Sequence, residues 1–208
     1  MAELITSWLN AQSGRELLAD HVNSLATMIS GLDLSSTEEA ALLIDQVTQE
    51  KGVIYIMGNG GSAATALHMS TDLSWGRRQG DVNRPRAICL AANSPIMTAL
   101  ANDVSYDEVF TEQLINFFNE GDLLVLISAS GNSENLLQAA RFARQHGGRS
   151  IGIVGFDGGK LKAICDVSVH IPTPTGAYEL VEDVHHAVCH MIPNYLKFAA
   201  VTRANQME

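Results

Sequence analysis

The sequence predicts an α/β fold built on one five-stranded parallel sheet. Two observations carry this. Five short apolar runs, at 53–57, 86–90, 123–127, 150–154 and 167–171, recur along the chain with helical patterns between the first four. Such runs are continuous rather than alternating, which is what a parallel sheet buried on both faces requires. In addition, the first and third runs end in glycine- and serine-rich turns directly before a helix, as strand ends do at a ligand site.

Taken in order, residues 1–50 read as two long amphipathic helices. Leu17, Val22, Leu25, Met28, Ile29 and Leu32 recur at threes and fours. Ser36 with Glu39 three residues on resembles a capping box, followed by Ala41, Leu42, Ile44 and Val47. These helices need a sheet or another subunit to cover. Further helices are predicted over 62–76, 94–119 with a break near Asn102 and Asp103, and 132–146. A short turn is predicted near 159–164 and a final helix from about 177 to 200.

The 208 residues carry 46% apolar and 17% charged side chains, a globular composition. Thirteen Lys and Arg against 23 Asp and Glu give a net charge of −10, which opposes nonspecific nucleic-acid binding. Arg77, Arg78, Arg84 and Arg86 cluster nonetheless, either as solvated or inter-subunit salt-bridging cations or as groups reaching a neighbouring subunit's substrate. Trp75, Phe110, Phe117 and Phe118 read as core or interface. No apolar stretch approaches the ~18 residues of a membrane span, and no signal peptide is visible. Cys89, Cys165 and Cys189 sit in apolar runs and read as buried thiols of a reducing compartment. A soluble cytoplasmic protein is expected.

The two loops are candidate anion cradles. One is Gly58-Asn59-Gly60-Gly61-Ser62; the other is Ser128-Ala129-Ser130-Gly131-Asn132-Ser133. Glycines let backbone N–H groups approach an anion, and a following helix adds its dipole. Serine hydroxyls donate without bulk. The alternative is that the serines only cap helices. Neither loop carries a nucleotide fingerprint, so no nucleotide cofactor is expected.

Two stripes of titratable groups accompany them. His68 and Asp72 are four apart on the helix after the first loop, and Glu182, His186 and His190 are four apart in succession, flanked by Asp183 and His185. Imidazoles and carboxylates in this pattern suit acid–base work. Two imidazoles with two carboxylates also suit Zn²⁺. The plain alternative is a pair of solvated helix faces.

These loops and the late histidine helix together resemble the sugar isomerase (SIS) domain, and within it the phosphoheptose isomerase branch. The resemblance spans nearly the whole chain. It implies one domain over 1–208, with 1–50 used in oligomer packing and 51–208 forming the α/β core and C-terminal helix. It implies a homotetramer with active sites between subunits and a sugar-phosphate substrate, with no nucleic-acid or membrane partner. The reaction implied is ketose–aldose interconversion through an enediol(ate), from sedoheptulose 7-phosphate to glycero-manno-heptose 7-phosphate. By the same resemblance Asn59, Gly60, Ser62, Asn93 and Glu182 contact the sugar, and Ser128, Ser130 and Ser133 hold its phosphate. His68, Asp72, Glu182 and His190 occupy the metal positions, for Zn²⁺. Asp72, with Glu182, stands at the base position and His190 at the acid.

The chain departs from the family pattern at four places. Asp72 stands where Glu is usual, Glu182 where Gln is usual, Asn93 where Asp is usual and Ala129 where Thr is usual. The second carboxylate at 182 would tighten a dication or supply a second base. Isomerisation of another sugar phosphate, and a non-catalytic SIS scaffold that binds a protein partner, are the competing expectations.

Overall fold

The computed structural model describes residues 11–75 and 84–206. Strands β1 (Val53–Gly58), β2 (Arg86–Cys89), β3 (Leu123–Ser128), β4 (Arg149–Val154) and β5 (Val167–His170) form one parallel sheet in the order β2-β1-β3-β4-β5. β1 and β3 are buried along their whole length, as their unbroken apolar runs require. Alternate residues feed two cores. Ile54, Ile56, Val125 and Ile153 meet one face, whereas Tyr55, Met57, Leu124 and Leu126 meet the other.

Helices α1 (Gly14–Ser30), α2 (Leu34–Gln49), α3 (Gly61–Trp75) and α8 (Tyr178–Gln206) cover the first face, through residues such as Ile44, Met69 and Val188. Helices α5 (Thr111–Phe117), α6 (Glu134–Gln145) and α7 (Gly159–Ile164) cover the second, through Leu114, Leu137 and Leu161. α4 (Ser94–Asp103) packs Met97 and Leu100 on that side. The change of face follows from chirality. The path steps from β1 to β2 in one direction, then from β3 to β5 in the other, and right-handed crossovers must switch faces when the direction reverses. The crossover helices therefore diverge between β1 and β3, and the crevice there opens at the strands' C-terminal ends. Gly58 pairs with Ile127 in register, so both loops leave the sheet side by side.

Several expectations need correction. α2 begins at Leu34, not at a capping box on Ser36. Asp33 is the cap, its Oδ1 accepting the Ser35 N–H at 3.0 Å, while the Ser36 hydroxyl donates to the Asp33 carbonyl at 3.0 Å. The break expected near Asn102 and Asp103 is present: α4 ends at Asp103, and a 3₁₀ turn at Tyr106–Glu108 and then α5 follow. Cys89 and Cys189 are buried, but Cys165 at the end of α7 is partly exposed. The aromatic stripe, by contrast, is not overturned: Phe110 lies in the core, and Trp75 and Phe117 are largely exposed on the single chain. Arg77 and Arg78 lie outside the described residues. Arg84 and Arg86 are exposed, and the Arg86 guanidinium donates to the Lys51 carbonyl.

α1 packs Leu25, Met28 and Ile29 against the core but leaves Leu18 and Val22 exposed. Among the described residues no helix is long and apolar enough to cross a membrane.

Candidate active site

The first loop turns from β1 into α3. Gly60 takes φ +54°, which glycine adopts without strain, and the Ala63 N–H closes on the Asn59 and Gly60 carbonyls. Ser62 is buried in the first turn of the helix.

The second loop is braced from below. Gly131 has φ +63°, and a Cβ there would lie 2.1 Å from the Gly158 carbonyl oxygen. The Leu161 N–H donates to the Gly131 carbonyl, and the Lys160 N–H to Asn132 Oδ1 at 3.1 Å. Ser128 Oγ accepts the Gly131 N–H at 3.0 Å, and Ser130 Oγ accepts the Asn132 N–H at 3.3 Å. Those two hydroxyls shape the turn and each retains its own proton to donate. Ser133 occupies the N-cap position of α6, yet its side chain makes no capping bond. The reading in which all three serines merely cap helices therefore does not hold for Ser133. Its hydroxyl and the N–H groups of the helix start remain available to an anion.

A buried amide pair joins the loops. Asn59 Nδ2 donates to Asn135 Oδ1 and Asn135 Nδ2 donates to Asn59 Oδ1, each at 3.0 Å. Asn135 is only 2% exposed. The Tyr106 hydroxyl also donates to Asn59 Oδ1 at 2.8 Å. One loop cannot shift without the other. Asn93 does something different: its Oδ1 accepts the Ile96 N–H at 3.4 Å as the cap of α4.

The titratable stripes meet. α3 and α8 pack with the same direction, each starting above the sheet's C-terminal edge. His68 Nε2 lies 3.3 Å from Asp72 Oδ2 and 2.8 Å from His190 Nε2, and His190 Nε2 lies 3.7 Å from the same carboxylate oxygen. The three side chains are 35–49% exposed, so this cluster opens to solvent in the single chain. Glu182 sits apart, near the start of α3. Its carboxylate fills the space beside Gly61, where a Cβ would meet it at 2.2–2.4 Å. Burial, then the neighbouring Glu179 and Asp183 charges, push its carboxyl above the ordinary range. A carboxyl so placed is a stronger base than an open one.

A family model for the SIS domain matches residues 19–155. A phosphoheptose isomerase of Chlorobium phaeobacteroides is 42% identical over 154 residues, covering 73% of this chain and 67% of that protein. One from Aliarcobacter butzleri is 34% identical over 189 residues, covering 88% and 96%. The chain belongs to the phosphoheptose isomerase family. The solved structure of the phosphoheptose isomerase from Neisseria gonorrhoeae superposes with a TM-score of 0.81 at 29% identity, covering 89% of this chain and 99% of that one. The protein is accordingly a SIS-domain isomerase with the family's α/β fold.

Three contributors were not predicted. Asn135 and Tyr106 hold Asn59 from 76 and 47 residues away. His186, which the sequence marks only as part of a stripe, stands with its ring against those of His68 and His190, at centroid distances of 4.5 and 4.8 Å. His185, by contrast, turns into the core and is fully buried, with neither ring nitrogen hydrogen-bonded.

Proposed function

We propose that the protein interconverts sedoheptulose 7-phosphate and glycero-manno-heptose 7-phosphate. The observation that carries this is the Asn59–Asn135 amide pair. It ties the glycine loop at Asn59 to the start of α6 at Asn135, which supports a phosphate cradle working with the helices that carry Asp72, Glu182 and His190. The names of the similar proteins above supply the heptose.

In this mechanism the phosphate docks on the 128–133 loop and the start of α6, where Ser133 donates to it. Docking the far end orients C1 and C2 of the open-chain sugar against α3 and α8. Asp72, with Glu182, removes the proton from the carbon beside the carbonyl. His190 carries a proton between the two oxygens, so that the enediol(ate) collapses to the isomeric carbonyl.

A divalent cation, Zn²⁺, belongs to the proposal. His68 and His190 offer imidazole nitrogens and Asp72 a carboxylate oxygen within a few ångström of one another, a donor set that suits zinc. When bound, the ion would polarise the sugar's carbonyl and hydroxyl as a Lewis acid.

The proposal includes a homotetramer, supported by the exposed apolar side chains of α1 and of the end of α8, among them Leu18, Val22, Phe198 and Val201. The net charge of −10 supports a small-molecule substrate rather than nucleic acid. Three free cysteines support a reducing, cytoplasmic setting.

The test is incubation of purified protein with sedoheptulose 7-phosphate, with the aldose product followed by NMR. His190→Gln is expected to lose at least ~10²-fold in turnover. Near-normal activity in that variant removes His190 from the mechanism, and conversion of a different sugar phosphate alone overturns the heptose assignment.

A further inference from the structure

We infer that Tyr106 is a positioning residue for the sugar: its hydroxyl selects which end of the Asn59 amide faces the crevice, and leaves that amide a hydrogen-bond donor only. This rests on the function proposed above and adds to it the polarity of one contact with the substrate.

The Asn59–Asn135 pair does not fix its own orientation. Each amide gives one N–H and takes one, at 3.0 Å. Turning both amides end over end keeps both bonds, so the pair by itself has two equal arrangements. One presents an N–H of Asn59 to the crevice, and the other presents its carbonyl oxygen. A third partner has to decide between them.

Tyr106 is that partner. Its hydroxyl donates to Asn59 Oδ1 at 2.8 Å. A phenol gives its proton more readily than it accepts one, because the ring withdraws density from the oxygen. It therefore favours the arrangement that turns the Asn59 carbonyl toward it. A carbonyl oxygen has two lone pairs, and Asn135 and Tyr106 take both. Asn59 Nδ2 has two N–H groups and commits one to Asn135; among the described residues the second meets no acceptor. Asn59 is half-buried, directly beyond the C-terminal end of β1, where the crevice opens. The second N–H is left for a ligand oxygen.

The fold holds the tyrosine in place. Tyr106 opens the 3₁₀ turn, whose cap is Ser105, its Oγ accepting the Asp107 N–H at 3.1 Å. Val109 and Phe110, next along the chain, are fully buried in the second core. Tyr106 itself is 52% exposed, so water can replace its hydrogen bond and the hydroxyl adds little to folding. What it does is orient Asn59.

A donor-only amide discriminates among oxygens. It suits a carbonyl or an enediolate oxygen, which only accept, and meets a hydroxyl only through that hydroxyl's lone pairs. The sugar oxygen at Asn59 is therefore held as an acceptor.

The experiment titrates the full chain calorimetrically with sedoheptulose 7-phosphate and, separately, with inorganic phosphate. Tyr106→Phe is expected to lose roughly 3–10-fold in affinity for the sugar phosphate, the worth of one neutral hydrogen bond. It should lose nothing for inorganic phosphate, which the 128–133 loop takes without Asn59. Its Tm should stay within ~2 °C of the parent's. In an Asn59→Ala background the same substitution should change the sugar-phosphate affinity by less than about twofold, because its effect passes through Asn59. Parental sugar-phosphate affinity in Tyr106→Phe, an equal loss for both ligands, or a full further loss on top of Asn59→Ala would each overturn the inference, as would a parent that binds no sugar phosphate. The two-ligand comparison decides even if Asn59→Ala fails to fold. Conversion is followed separately by NMR. Conversion by the parent with unaltered binding in Tyr106→Phe sinks the role of Tyr106 and leaves the isomerase standing, and binding that depends on Tyr106 without conversion does the reverse.

Discussion

Replacing Gly131 by alanine probes the bracing of the phosphate loop. The residue sits at φ +63°, where an L side chain costs ~1–2 kcal/mol. Its new Cβ would also meet the Gly158 carbonyl oxygen at 2.1 Å, and that neighbour is backbone, so the two loops must part. Parting them stretches the Leu161 N–H to Gly131 bond and the Lys160 N–H to Asn132 bond, at ~1 kcal/mol each. The total is about 3–4 kcal/mol. For a chain of this size each kcal/mol moves Tm by ~2–4 °C, so a fall of roughly 6–16 °C is expected, with a raised KM for the sugar phosphate. Gly60→Ala is the internal control. It has φ +54° but nothing within 4 Å of the new Cβ, so only the backbone cost of ~1–2 kcal/mol applies. Calorimetry on both variants decides. If Gly131→Ala melts no lower than Gly60→Ala, the loop is not held by its contact with the 158–159 turn and the reasoning fails.

Ser133→Ala should raise KM without lowering Tm, because its hydroxyl caps nothing. Ser128→Ala should also lose stability, ~1–3 kcal/mol, because the buried Gly131 N–H loses its acceptor; kinetics and melts that do not separate the two would contradict this division. Asn135→Asp removes the N–H that meets Asn59 Oδ1 and places a negative charge beside the anion cradle, so both Tm and phosphate affinity should drop; unchanged kinetics would show the loops are not coupled. Burial in the core holds His185 at about 4, against an ordinary 6.5. A depressed histidine favours the neutral folded form. Its contribution is therefore complete above the ordinary value and is lost as pH falls from there toward about 4, by about 3 kcal/mol. Urea melts across that window should show a shallower loss in His185→Leu than in the parent, and identical slopes would refute it.

The strands and both loops were legible because β1 and β3 are unbroken apolar runs that lead straight into glycine- and serine-rich turns, a signal contained in a dozen residues. The helix start at Asp33 was missed because Ser36 offers the same local chemistry, and only the chain's entry direction selects between them. The Asn59–Asn135 pair could not be read, since the register of β1 on β3 brings those residues together from 76 positions apart. Spacing placed Glu182, His186 and His190 on one stripe, but which of them face His68 depends on how far α8 slides along α3. That offset is fixed by packing against the sheet. The four-residue spacing treats the three alike, and it is the family resemblance that singles out Glu182 and His190; the ring contacts of His186 with His68 and His190 come only from the packing of α8 on α3.

The most direct measurement follows the reacting C–H bond. Sedoheptulose 7-phosphate incubated with the protein in D₂O should gain deuterium at the carbon beside the carbonyl as the aldose forms, because the base that takes the proton exchanges it with solvent. Asp72→Asn, which keeps the shape but removes one of the two carboxylates at the base position, should cut that uptake sharply. Undiminished exchange in Asp72→Asn, or none with the parent protein, would contradict the account.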